Sequence, residues 1–135
     1  MEFPTELGVL TCLMILAASM WIPFVVGIAT DPSKEENFDR PADIRNLRTW
    51  VQRAHRAHLN LLEQGIPFAV LVLLVDRVDG FTSLTYWTAI AFFWIRVLHA
   101  GGMISGVAKE PVRPILFTAG WVCCLIMGYA VFAGR

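Results

Sequence analysis

From Leu7 to Ala29 the chain carries no charged residue. That is long enough to cross a bilayer, which takes about 20 apolar residues at about 1.5 Å rise each. A kink is expected at Pro23, which neighbouring helices can accommodate. The pattern turns polar from Thr30 to Pro41, where Asp31, Pro32, Ser33, Lys34, Glu35, Glu36 and Asn37 read as turn or solvent residues. A second helix is expected to start near Pro41 to Asp43, with proline in its first turn and Asp43 at the positive end of its dipole, and to reach about Val75. Only Leu61 to Val75 is mostly apolar, and that half is too short to span. The polar stretch from Arg53 to Glu63 is therefore expected to enter the membrane, with the helix also extending beyond it. Asp76 to Gly80 reads as a tight polar turn. Phe81 to Ala108 is the third helix, with Phe81, Tyr86 and Trp87 at its start as at a membrane interface. Lys109 to Pro114 is a short loop, and the fourth helix follows. The expected helices cover approximately 7–29, 43–75, 81–108 and 114–134 of a single domain, 1–135: an all-α membrane protein, a four-transmembrane-helix up-down bundle.

Composition agrees, since 56 % of the 135 residues are hydrophobic, leaving little polar surface for a soluble domain of this size. Net charge is zero, which gives no basis for nucleic-acid binding. Cys12, Cys123 and Cys124 lie in apolar runs without metal-ligand spacing and read as small packing residues. The leader carries Glu2 and Glu6 but no basic residue, so the first run reads as a retained helix rather than a signal peptide. Lys34, Arg40, Arg45, Arg48, Arg53, Arg56, Lys109 and Arg113 fall on the side of the first and third loops, against Arg77 and Arg135 opposite. The positive-inside rule puts those loops in the cytoplasm and both termini on the other side.

Arg53, Arg56, Asn60 and Glu63 follow i, i+3, i+7, i+10 spacing, so they share one face of the second helix, and Pro67 continues it. The third helix carries Arg96 and His99, three apart, and Arg113 stands where the fourth begins. Charged side chains at membrane depth face the bundle interior, pair, or line a cavity. Glu63 can pair with Arg56 or Arg96, and Arg53 can reach the interface, but one glutamate cannot satisfy every arginine. The excess positive charge suits an anionic ligand. His55, His58 and His99 have no cysteine or carboxylate partners that complete a metal set, and no metal is expected.

The string Arg53-Ala-His-Arg56-Ala57-His58-Leu59-Asn60-Leu-Leu-Glu63-Gln-Gly-Ile-Pro67-Phe68 closely resembles the signature of the MAPEG family. These are the membrane-associated proteins of eicosanoid and glutathione metabolism, which include the microsomal glutathione transferases and prostaglandin E synthase. Arg96-Val-Leu-His99 resembles the family's third-helix motif, and Pro111-Val-Arg113 its arginine before the fourth helix. The second-helix string is specific; the other two are short. The resemblance implies a homotrimer of four-helix bundles with glutathione as co-substrate, held between subunits near the cytoplasmic face. Arginine forks recognise its two carboxylates, Glu63 its ammonium, and Asn60 and His99 its amides. It further implies that Arg113 is the catalytic residue, holding the thiolate, with Arg53, Arg56, Asn60, Glu63, Arg96 and His99 as the binding shell. A hydrophobic small-molecule electrophile or lipid hydroperoxide would enter from the membrane lipid.

This chain departs from the better-known enzymes at Leu59, Met103, Pro114 and Phe117, where arginine, tyrosine, a polar residue and tyrosine are common. The implied pocket is therefore poorer in hydrogen-bond donors. The alternative readings are a non-catalytic lipid-binding scaffold of the same architecture and a small proton-coupled exporter. The exporter needs a membrane-embedded acid, and none is expected in the first helix.

Overall fold

The computed structural model describes residues 2–31 and 43–134. The expected loop residues Pro32 to Asn37, together with Arg40 and the Pro41 helix start, lie outside the described residues. Four helical spans, each long and apolar enough to cross a membrane, make up the described chain, with no strand among them.

The first span divides into α1 (Thr5–Ser19) and α2 (Trp21–Ala29). Met20 joins them at φ −68°, ψ −12°, its N–H bonded to Ala17 O at 3.4 Å. The break falls at Ser19 because Pro23 has no N–H to offer the Ser19 carbonyl, four residues back, and its ring crowds that carbonyl. The Ser19 hydroxyl donates to Ile15 O at 2.8 Å, which bends the same turn. The helix begins earlier than its apolar run: Pro4 precedes it, and Glu6 enters its first turn and is buried. The first helix therefore does carry an acid, contrary to expectation. A carboxylate in a first turn faces the positive end of the helix dipole, which makes the site tolerable.

The second span, α3 (Thr49–Arg77), starts later than expected. Asp43 instead caps a single 3-10 turn, Ile44–Asn46, accepting from Arg45 N–H at 3.0 Å and from the Arg45 guanidinium. That guanidinium holds the Asp43 carboxyl below its usual range. Arg48 stays extended because its own groups are engaged elsewhere. Its N–H donates to Asp31 Oδ2, and its guanidinium donates to Thr30 Oγ1 at 2.7 Å and Gly27 O at 3.1 Å. The Asp31 carboxylate, expected in solvent, is 4 % exposed and ion-paired to Arg48 at 3.7 Å. A cation on the last carbonyls of α2 complements that helix end. At about 1.5 Å per residue the 29 residues of α3 extend roughly 43 Å, more than the roughly 30 Å hydrocarbon core.

The turn that follows takes its positive φ at Asp79 (51°) rather than at Gly80, a conformation aspartate tolerates. The third span, α4 (Ser83–Ser105), opens with a reciprocal capping box. Thr82 N–H donates to Thr85 Oγ1, and Thr85 N–H to Thr82 Oγ1. We predict that Thr82→Ala costs about 0.5–2 kcal/mol, read as a lower melting midpoint in detergent with the helical content unchanged. The helix stops short of Ala108 because Gly106 turns left-handed at φ 79°. The fourth span is α5 (Val112–Ala133).

α3 and α4 pack on each other, and α1 and α5 each pack against both. The shared core runs through Leu13, Leu61, Phe68, Val72, Phe92 and Met127, with Phe68 and Phe92 stacked at 3.8 Å between ring centroids. The outward faces are also apolar, with Ile15, Val70, Trp94, Leu98, Trp121 and Leu125 exposed. Helices apolar on both faces belong in lipid or against another apolar helix. The chain is an integral, multi-pass membrane protein.

Candidate functional site

The arginine-rich end of the bundle joins the first half of α3 to the last turns of α4 and the start of α5. Its buried centre is Arg96, which has no exposed surface. A guanidinium in such a place needs acceptors. Nη1 donates to Gln64 Oε1 at 2.9 Å, and Nη2 lies 3.5 Å from His99 Nδ1. Gln64 is itself fixed at its other end, donating from Nε2 to Phe117 O at 2.7 Å. One relay therefore links α5, α3 and α4. Only Nε of Arg96 is left without a partner. Gly120 makes the relay possible: a Cβ there would collide with Gln64 Oε1.

Arg53 is half-buried and donates from Nε to Ile104 O at 3.4 Å, with its guanidinium lying over Gly106. It holds the end of α4, where a cation meets the exposed carbonyls. Asn60 Nδ2 donates to Met103 Sδ at 3.4 Å. Of the residues singled out from the sequence, Arg53, Asn60 and Arg96 thus hold α3 and α4 together, and His99 lies against Arg96 within α4. Neither Arg96 nor His99 reaches the surface of the single chain.

Arg56 and Glu63 are exposed on the outward face of α3, and Arg113 is half-buried in the first turn of α5. None of the three side chains makes a hydrogen bond or ion pair among the described residues. No group of histidine, cysteine and acidic side chains among the described residues is placed to hold a metal.

Spacing along the arginine stripe does not flag Gln64. The usable signal lies on the adjacent face, where Leu61, Gln64, Phe68, Val72 and Val75 are all buried. A lone amide in a series of apolar core positions calls for a polar partner.

No curated protein matches the chain. The profile of the MAPEG family matches residues 8–133, nearly its whole length. With four membrane-spanning helices and the arginine-bearing second span in place, this chain belongs to the MAPEG family.

Proposed function

We propose that the protein is a membrane-embedded, glutathione-dependent transferase or peroxidase acting on hydrophobic electrophiles or lipid hydroperoxides. The family includes glutathione transferases and peroxidases among other members. The carrying observation is the charge left over at the arginine end. Arg53 and Arg96 are committed to internal acceptors, whereas Arg56, Glu63 and Arg113 have none among the described residues. One guanidinium and one carboxylate complement a carboxylate and the ammonium of glutathione, and the second guanidinium is left for its thiolate.

Charges on the outward face of a spanning helix cost about 2.5–3.5 kcal/mol each at the bilayer centre. Arg56 and Glu63 therefore call for a neighbouring subunit, and a homotrimer with the tripeptide between subunits meets that need. Arg56 binds a carboxylate, Glu63 the ammonium, and Arg113 the sulfur. The basic end faces the cytoplasm by the positive-inside rule. Arg96, with His99 beside it, supports the site from behind through Gln64.

In conjugation the thiol proton leaves to water, the thiolate attacks the electrophilic carbon, and the leaving group departs with its bonding pair. In peroxide reduction the thiolate attacks the distal oxygen, the O–O bond breaks, and the alcohol leaves with a proton. A second glutathione then closes the disulfide with loss of water. In both reactions the chain's task is to favour the thiolate, and a guanidinium beside the sulfur does so.

The test is a glutathione titration of detergent-purified protein, followed by thiolate absorbance and by conjugation of a chlorodinitrobenzene-type electrophile. Saturable binding with turnover is expected, and silence at millimolar thiol sinks the proposal. Glu63→Gln is expected to weaken glutathione about tenfold or more, since a hydrogen bond to a charged group is worth about 1.5–3 kcal/mol. That is read as a raised Kd with the melting midpoint unchanged.

The second reading, a non-catalytic lipid-binding scaffold, draws on Asn60, whose amide is spent on the Met103 thioether. Lipid co-purifying at the arginine end, with no thiol-dependent turnover, selects it.

A further inference from the structure

The opposite end of the bundle holds a second polar site that the thiol chemistry does not use. Glu6 is 5 % exposed there. Its Oε1 accepts one hydrogen bond, from Thr85 Oγ1 at 2.8 Å. That hydroxyl has a single proton, and Thr82 O stands equally close, at 2.8 Å. A carboxylate offers about four acceptor positions, so one shared donor leaves it largely unfilled. No lysine, arginine or histidine among the described residues forms an ion pair with it. Buried carboxylates are normally paired.

A surface cleft of about 520 Å³ opens beside the carboxylate, lined by Glu6, Phe81, Thr82, Ser83, Tyr86 and Trp87. Tyr86 and Trp87 stand edge to face, 5.1 Å apart between ring centroids, and Trp87 is 65 % exposed. Aromatic faces attract cations, and such rings at the start of a span sit at the level of lipid headgroups. The cleft also meets the first turn of α4. There the N–H groups of Ser83 and Leu84 donate to nothing among the described residues, and a helix start of this kind favours an anion.

We propose that this cleft binds the headgroup of an aminophospholipid, its primary ammonium on Glu6 among the aromatic rings and its phosphate at the start of α4. A primary ammonium fits better than a quaternary one because it carries N–H donors for the unfilled carboxylate oxygen. A phospholipid fits better than a free amine because the helix start supplies the anion's half of the site.

Native mass spectrometry of protein released from vesicles of equimolar phosphatidylethanolamine, phosphatidylcholine and phosphatidylglycerol tests this. About tenfold enrichment of bound phosphatidylethanolamine over the other two is expected, equivalent to about 1.4 kcal/mol. Glu6→Gln, which keeps the acceptor for Thr85, is expected to abolish the preference. Trp87→Leu, at an exposed position, is expected to reduce it and guards against misfolding of the first variant. Displacement of the lipid by millimolar phosphoethanolamine would assign the site to the soluble headgroup chemistry; resistance to it assigns the site to the membrane lipid. Equal retention of the three lipids, or a preference that survives Glu6→Gln, overturns the proposal. The result is independent of whether glutathione binds at the other end.

Discussion

A methyl group added at Gly120 is expected to destabilise the protein. α5 approaches α3 so closely there that the new Cβ would overlap Gln64 Oε1 and stand 3.1 Å from its Cδ. Gln64 cannot retreat cheaply. It donates to Phe117 O at one end and accepts from Arg96 at the other. If it moves, a fully buried guanidinium whose Nε already lacks a partner loses a second contact. If it stays, the helices must part. Overpacking costs about 1–3 kcal/mol, and a lost hydrogen bond to a buried charge about 1.5–3 kcal/mol. Gly120→Ala is thus expected to lose about 1–3 kcal/mol by either route, read as a drop in the melting midpoint in detergent. A double-mutant cycle isolates the cause. In a Gln64→Ala background the collision is gone, and Gly120→Ala should add little to the cost already paid by unpairing Arg96. An equal penalty in both backgrounds would show that the relay is not what Gly120 protects.

That relay marks where the chain's pattern stops being readable. Three of the four spans follow from apolar run length, because lipid demands about 20 such residues per crossing, and the second follows from a shorter run continued by the polar stretch Arg53 to Glu63. The polar stripe on α3 follows from helical spacing. Three features do not follow, for one shared physical reason: each depends on a partner far along the chain. Gln64 lies beside Glu63 in sequence but on the buried face, and its meaning comes from Arg96 and Phe117. Glu6 reads as part of a polar leader until Thr85, 79 positions on, is found against it. Asp31 reads as a loop acid until Arg48 closes over it. The late start of α3 has the same origin, since Arg48 is held extended by the acceptors of the preceding span. The stripe is also only half the candidate site. Spacing groups Arg53, Arg56, Asn60 and Glu63 together, yet Arg53 and Asn60 turn inward to α4 while Arg56 and Glu63 face out. Periodicity tells which residues share a side of a helix, not which edge of that side is covered.

Arg113→Leu is expected to lower conjugation kcat/KM by about 10²–10³-fold, the loss typical of removing one donor to a developing anion. The start of α5 has little to substitute for it. Val112 and Arg113 N–H groups already donate to Lys109 O, Ile115 N–H donates to Pro111 O, and Pro114 has no N–H at all. A helix start that usually greets an anion with free amides here offers mainly a side chain, and the Arg113 guanidinium makes no hydrogen bond or ion pair among the described residues. The proposed site also lacks hydroxyls at Met103 and Phe117. The sign of the pH effect follows directly. A guanidinium beside a thiol favours the anion and lowers the pH at which it forms, so removing it moves the rising limb of the rate profile to higher pH. Arg113→Lys keeps the charge but not the fork and should fall between. Because nothing inside the chain leans on this side chain, the melting midpoint of the variants should hold. A Leu variant with unchanged rate and unchanged pH profile would remove Arg113 from the chemistry, leaving Arg56 as the nearest uncommitted cation on α3.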